Sequence, residues 1–111
     1  MKEKLIINAR IIDPSQNLDE IGGLRIDTKG KIKDIGKKIK KNNISSSVEV
    51  IDAKKNILIP GIVDMKVFVG EPGFEYKENF RTLSQAALAG GVTSIVTMPN
   101  TKPTIDNVSM V

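Results

Sequence analysis

"DMKVFVGEPG", residues 64–73, is the stretch on which the reading of this chain turns. It closes an apolar, strand-like run that begins at Ile62, then breaks into Gly70, Glu71, Pro72 and Gly73, the punctuation of a tight loop. Side chains alternate along a strand, so Asp64, Lys66, Phe68 and Gly70 share one face and Met65, Val67 and Val69 the other. The second set suits packing under helices. The first set stands where a loop site would be built, yet neither a protonated lysine nor a phenylalanine has a lone pair to offer a metal.

Downstream, "YKENFRTLSQAALAGG" (76–91) has helical spacing, with Phe80, Leu83, Ala87 and Leu88 on one stripe and Gly90-Gly91 as the stop. "VTSIVTMPN" (92–100) follows as a second apolar strand. Strand, loop, helix, strand predicts a right-handed βαβ unit. Apolar residues on both faces of its strands predict a parallel sheet covered on both sides. "TKPTIDNVSMV" (101–111) reads as a loop and a first helical turn, with Asp106 as its N-cap.

Upstream the grammar differs. "KLIINARII" (4–12) is a β-branched strand stopped by Asp13-Pro14. "GLRID" and "KIKDIG" flank Thr28-Lys29-Gly30 as a hairpin, "NNISSS" (42–47) is a polar loop and "VEVID" (48–52) another strand. Residues 1–58 therefore predict a small antiparallel β module of sandwich type, and residues 59–111 the start of a parallel (β/α) barrel. The fold class is α/β. A whole barrel takes ~250 residues, so the chain is expected to be the truncated front of a larger protein.

Composition removes several kinds of chemistry. There is no cysteine and no histidine, which excludes disulfides, thiolate or imidazole metal sites and histidine general acid–base catalysis from within these 111 residues. No run approaches a membrane span and "MKEKLIINARIID" has no signal-peptide core, so no membrane partner and a cytoplasmic location are expected. The net charge of +4 gathers in "KGKIKDIGKKIKKNN" (29–43), interleaved with Ile32, Ile35 and Ile39 but with no aromatic residue for base stacking. A solvated edge is the plain reading of that stretch, and nucleic-acid binding its alternative.

"IPGIVDMKVFVGEPGFEYKENF" and "AALAGGVTSIVTMPNTKP", with "LIINARIIDPSQN" and "VIDAKKNILIPGIVD" before them, resemble the N-terminal part of dihydroorotases of the amidohydrolase superfamily. The resemblance covers nearly the whole chain and implies a β module leading into a TIM-like barrel. The family's first-strand pattern is D-x-H-x-H-x-R-E-P-G, whose histidines bind the catalytic zinc and whose arginine holds the substrate carboxylate. Here Asp64, Glu71, Pro72 and Gly73 match it, but the histidine positions are Lys66 and Phe68 and the arginine position is Gly70. Asn100 matches an asparagine that helps hold substrate. The family's other ligands, a carboxylated lysine and later histidines, would fall beyond Val111. A carboxylated Lys66 would still leave the Phe68 position without a donor.

The resemblance thus implies a pseudo-dihydroorotase, with no catalytic residue, no metal ligand and no cofactor in this chain and with Asn100 as its one candidate substrate contact. Members of that kind resemble scaffolds for aspartate carbamoyltransferase in pyrimidine synthesis. The remainder of a barrel, or further copies of the chain, are the other expected partners. The alternative is an active cyclic amidohydrolase, interconverting dihydroorotate and carbamoyl-aspartate, with a rearranged metal site. Of the remaining residues, Phe68 is expected to plug the core and Lys66 to pair with a carboxylate or reach solvent. Asp64 is expected to be structural, Gly70 and Gly73 to make turns, and Glu71 and Asn100 to cap loops.

Overall fold

Ten residues from Lys4 to Asp13 form β1, the strand around which the first half of the chain is organised. The computed structural model describes residues 1–40 and 45–110. Asp13 ends β1 by accepting hydrogen bonds from the Ser15 N–H (3.0 Å), the Ser15 hydroxyl (2.7 Å) and Gln16 Nε2 (2.6 Å), which caps a single 3-10 turn at Pro14–Gln16. The chain reverses there into β2 (Leu18–Ile26), antiparallel to β1. It reverses again at the expected turn, where Asp27 N–H donates to the Lys31 carbonyl (2.9 Å), into β3 (Ile32–Gly36).

The next pairing departs from the expectation. β4 (Glu49–Asp52) and β5 (Ile57–Leu58) both run parallel to β1, on the side away from β2. The described residues of this first part therefore make one mixed five-stranded sheet, ordered β3-β2-β1-β4 with β5 also on β1, in place of an antiparallel module of sandwich type. Alternation within "VEVID" marks a strand but carries no information on its direction. Direction follows from where β4 begins, with Glu49 opposite Lys4 at the start of β1. A bend at Ala53–Asn56 separates β4 from β5, tied to β1 by Lys55 N–H on the Asn8 carbonyl (2.8 Å) and by Asn8 Nδ2 on Asp52 (3.1 Å). Among the described residues of this unit, Leu5, Ala9, Ile11 and Leu24 are the buried hydrophobic side chains, all on the two central strands. The expected "NNISSS" loop lies partly outside the described residues.

The chain divides into two units, Met1–Pro60 and Gly61–Val111. In the second, β6 (Ile62–Val67) and β7 (Val92–Thr97) pair in parallel, joined through α1 (Phe80–Ala89). This is the expected strand–helix–strand order, with Gly90 closing the helix. The expected burial on both strand faces is not found. Ile62, Val63 and Met65 are all exposed, Met65 to 68% of its surface. Two strands and a ten-residue helix lack the area to cover both faces of a sheet. On α1, Leu83 and Ala87 are half-buried, whereas Phe80 and Leu88 are exposed. The end of the chain also departs from expectation. A 3-10 turn covers Val108–Met110, and Asp106 accepts only from the Asn107 side chain (2.8 Å) rather than capping a helix.

Candidate functional site

Parallel pairing places the ends of β6 and β7 side by side, so the loops that leave them, Phe68–Gly73 and Met98–Pro103, form one edge. Met98 N–H donates to the Val67 carbonyl (2.8 Å) and Lys102 N–H to the Pro72 carbonyl (2.9 Å). Gly73 sits hard against this contact. Its φ is +95° and an added Cβ would lie 2.1 Å from the Lys102 carbonyl oxygen, so only glycine fits. Thr101 is buried and donates its hydroxyl to the Pro103 carbonyl (2.8 Å). Val69, fully buried, anchors the first loop from below.

Each residue singled out in the sequence can now be placed. Asp64 is exposed and its Oδ1 accepts from the Lys66 N–H (3.0 Å), a local structural bond as expected. Lys66 is exposed and, among the described residues, joins no ion pair, so it takes the solvent course of the two expected. Phe68 is no core plug in this chain. It is 39% exposed, and its ring lies against Phe74, centroids 6.3 Å apart and tilted by 48°. Lys77 in turn stands 5.4 Å over the Phe74 ring.

Position 70 shows more than a missing arginine. Gly70 has φ +76°, and a Cβ there would lie 2.7 Å from the Glu78 carbonyl oxygen and 2.9 Å from that of Phe74. The Phe74 N–H closes the turn on the Gly70 carbonyl at 2.6 Å. In this conformation no larger side chain can occupy the position. Asn100 is exposed at the rim of the second loop.

Glu71 has a clear structural task. Its Oε2 accepts from the Phe80 N–H (2.9 Å), meeting one of the otherwise unpaired donors at the start of α1. Beside it Asn79 makes a reciprocal cap, its side chain accepting from Thr82 N–H (3.0 Å) while its own N–H donates to the Thr82 hydroxyl (3.2 Å). Sequence reasoning missed this cap. The signal was present, since Asn79 directly precedes the first apolar helical residue and a hydroxyl stands three positions on. Glu75 accepts from the Gly73 N–H (2.8 Å), and that backbone donor holds its carboxyl below the usual carboxylate range. The carboxylates beside the candidate site thus hold loop and helix backbone.

Among the described residues no three of Asp and Glu gather closely enough to hold a metal ion. The donors at the two first-strand positions are an ammonium and a phenyl ring, and these do not fit zinc. Recesses of about 430, 350 and 220 Å³ are lined by other residues, the first two in the β module and the third between α1 and β7.

A family profile described as dihydro-orotase-like matches residues 55–110, half of the chain and all of the strand-end loops just described. The chain belongs to the dihydroorotase-like family. Over 104 residues it is 52% identical to a dihydroorotase of Ehrlichia canis, covering 92% of this chain and 23% of that protein. It is 48% identical over 103 residues to a dihydroorotase of Pelobacter propionicus (93% and 23%). The dihydroorotase of Aquifex aeolicus is 47% identical over 109 residues (97% and 25%). An L-hydantoinase (dihydropyrimidinase) of Arthrobacter aurescens shares the fold with a TM-score of 0.75 at 26% identity, over 99% of this chain and 23% of its own. The chain therefore spans about a quarter of the length of the dihydroorotases it matches, and corresponds to their N-terminal portion within the amidohydrolase superfamily. No helix among the described residues is long and apolar enough to cross a membrane.

Proposed function

We propose that this chain is the front of a dihydroorotase-like protein of pyrimidine biosynthesis whose first-strand metal site is lost, and that it acts in the cytoplasm without catalysis, as a scaffold for aspartate carbamoyltransferase. The β6–α1–β7 unit would be the first turn of a (β/α) barrel, in which functional residues occupy the C-terminal strand ends. The observation that carries the reading is the set Lys66, Phe68 and Gly70. Two positions lack any metal donor, and the backbone at the third excludes the side chain that would hold a carboxylate. The persistence of Glu71, Pro72 and Gly73 supports it further, because Glu71 and Gly73 have structural work that needs no metal.

Three measurements on the full-length protein that the gene encodes test this. Elemental analysis should find no stoichiometric zinc, and added zinc should leave the melting temperature unchanged, since an ion that does not bind the folded state cannot stabilise it. Dihydroorotate should not be hydrolysed. Co-elution with aspartate carbamoyltransferase should be seen. Stoichiometric zinc together with dihydroorotate hydrolysis would establish the other reading, an active cyclic amidohydrolase with a rearranged site, and Asn100 would then be the first residue to test for substrate contact.

A further inference from the structure

The positive charge of the chain is concentrated in one unit, and part of it gathers at one end of the sheet. Met1–Pro60 holds thirteen of the Lys and Arg residues against eight Asp and Glu, whereas Gly61–Val111 holds four against five. At the end of the sheet where Lys4 pairs with Ile26 and Ile26 with Ile32, the β2–β3 turn meets the start of the chain, Met1 N donating to the Thr28 carbonyl at 3.2 Å. Lys2, Lys29, Lys31 and Lys33 are all exposed there, and none joins an ion pair among the described residues.

Three of the four acids near this end are engaged, and the fourth, Asp34, is exposed beside Lys33 and opposite Arg25. Glu3 is bound by Arg25 and Glu49 by Lys4 (3.5 Å). Asp27 spends its carboxylate on the backbone N–H groups of Lys29 (2.8 Å) and Lys31 (2.9 Å), holding the turn itself. Among these lysines stand two exposed apolar side chains, Met1 (69%) and Ile32 (64%). The combination matters. Phosphate contacts need the lysines alone, and nucleic-acid readers add aromatic stacking or arginine forks. This unit has no aromatic residue, and both its arginines are committed, Arg10 to Asp19 by two bonds (2.8 and 2.7 Å) and Arg25 to Glu3. Cations at the same sheet end as exposed aliphatic side chains suit a surface with anionic head groups above an apolar layer.

We propose that the β2–β3 turn, with Lys2, Lys29, Lys31, Lys33, Met1 and Ile32, is a peripheral docking surface for an anionic lipid bilayer. It lies on the membrane and requires no spanning segment. Each lysine close to such a surface strengthens binding about fivefold.

The test is co-sedimentation of the whole chain with mixed phosphatidylcholine–phosphatidylglycerol vesicles and with phosphatidylcholine vesicles alone. Binding to the anionic vesicles only, weakening as salt rises, is the expected result. Replacing Lys29, Lys31 and Lys33 together by Gln should weaken it on the order of 100-fold, with the circular dichroism spectrum unchanged. The chain has no tryptophan, so Ile32→Trp supplies a single reporter, whose emission should shift to the blue on anionic vesicles. Equal partition onto both vesicle types would overturn the proposal. So would an Ile32→Trp emission that does not move on bound vesicles, or duplex DNA binding as tightly as the anionic vesicles, which would make the patch a general phosphate surface.

Discussion

The two units of this chain spend their apolar residues differently. Among the described residues, the first places Leu5, Ala9, Ile11 and Leu24 in a buried cluster on its two central strands and laces its surface with four ion pairs. The second is of similar length but buries one hydrophobic side chain fully, Val69, and leaves Ile62, Val63, Met65, Val96 and Leu88 exposed. Both contain strong strand formers. A five-stranded sheet can cover its own centre, whereas a two-stranded sheet with one helix cannot, so the first unit gathers a buried cluster on its central strands while its outer residues, Ile21, Ile32 and Ile57 among them, stay as exposed as those of the second.

The largest effect that could break this contrast is expected in the first unit. Leu5→Ala should cost about 2–5 kcal/mol in thermal or denaturant unfolding, the range for emptying a packed leucine site. Met65→Ser in the second unit should change stability by less than about 0.5 kcal/mol. A comparable loss at both positions would mean that the exposed faces of the second unit are covered in solution.

Next in size is Gly70→Arg, which restores the residue type of the family pattern at a position whose backbone rejects it. Left-handed strain alone costs about 1–3 kcal/mol, and the overlap with two carbonyl oxygens adds to it. The melting temperature should fall, and no carboxylate ligand should raise it again. A stable Gly70→Arg chain would show that the first loop has a second conformation.

Smaller still is Asn79→Ala. Loss of the side-chain half of the cap should cost about 1 kcal/mol, confined to the second unit and read as lost helical signal at lower temperature. The smallest effect at neutral pH belongs to the acids of the first unit. Arg25 holds Glu3 below the usual carboxylate range, Arg10 does the same for Asp19, and the Ser15 and Gln16 donors do so for Asp13. Because these values are lowered by folding, their contribution is complete above the unfolded carboxylate pKa, about 4. It is lost as the pH falls through the lowered folded values. Stability should therefore be flat from neutral pH down to about 5 and decline below about 4. A decline beginning nearer neutral pH would point to a different set of groups.

Local signals account for most of what could be read ahead. Asp13-Pro14 stops a strand, Asp27 to Lys31 turns a hairpin, and Gly90 ends a helix, each because one residue's own chemistry decides the outcome. The features that escaped are those set by partners distant along the chain. Nothing within Glu49–Asp52 reports that it will lie parallel to β1. Nothing within Ile62–Met65 reports that its apolar side chains stay uncovered. At the candidate site the chemistry of Lys66 and Phe68 was plain from residue type alone. That Gly70 is enforced by two carbonyl oxygens, and that Glu71 serves the start of α1, required the folded loop.

The contact between Lys102 and the Pro72–Gly73 corner has a broader consequence. In many sites a bound ion is the brace that keeps neighbouring strand ends in register, so removing its ligands loosens the walls. Here main chain grips main chain directly, across loops more than twenty-five residues apart in sequence. Side chains at such an edge that take no part in this contact, such as Lys66 and Asn100, can change without the frame giving way. An edge joined in this fashion keeps its shape whatever the exposed side chains upon it can or cannot bind.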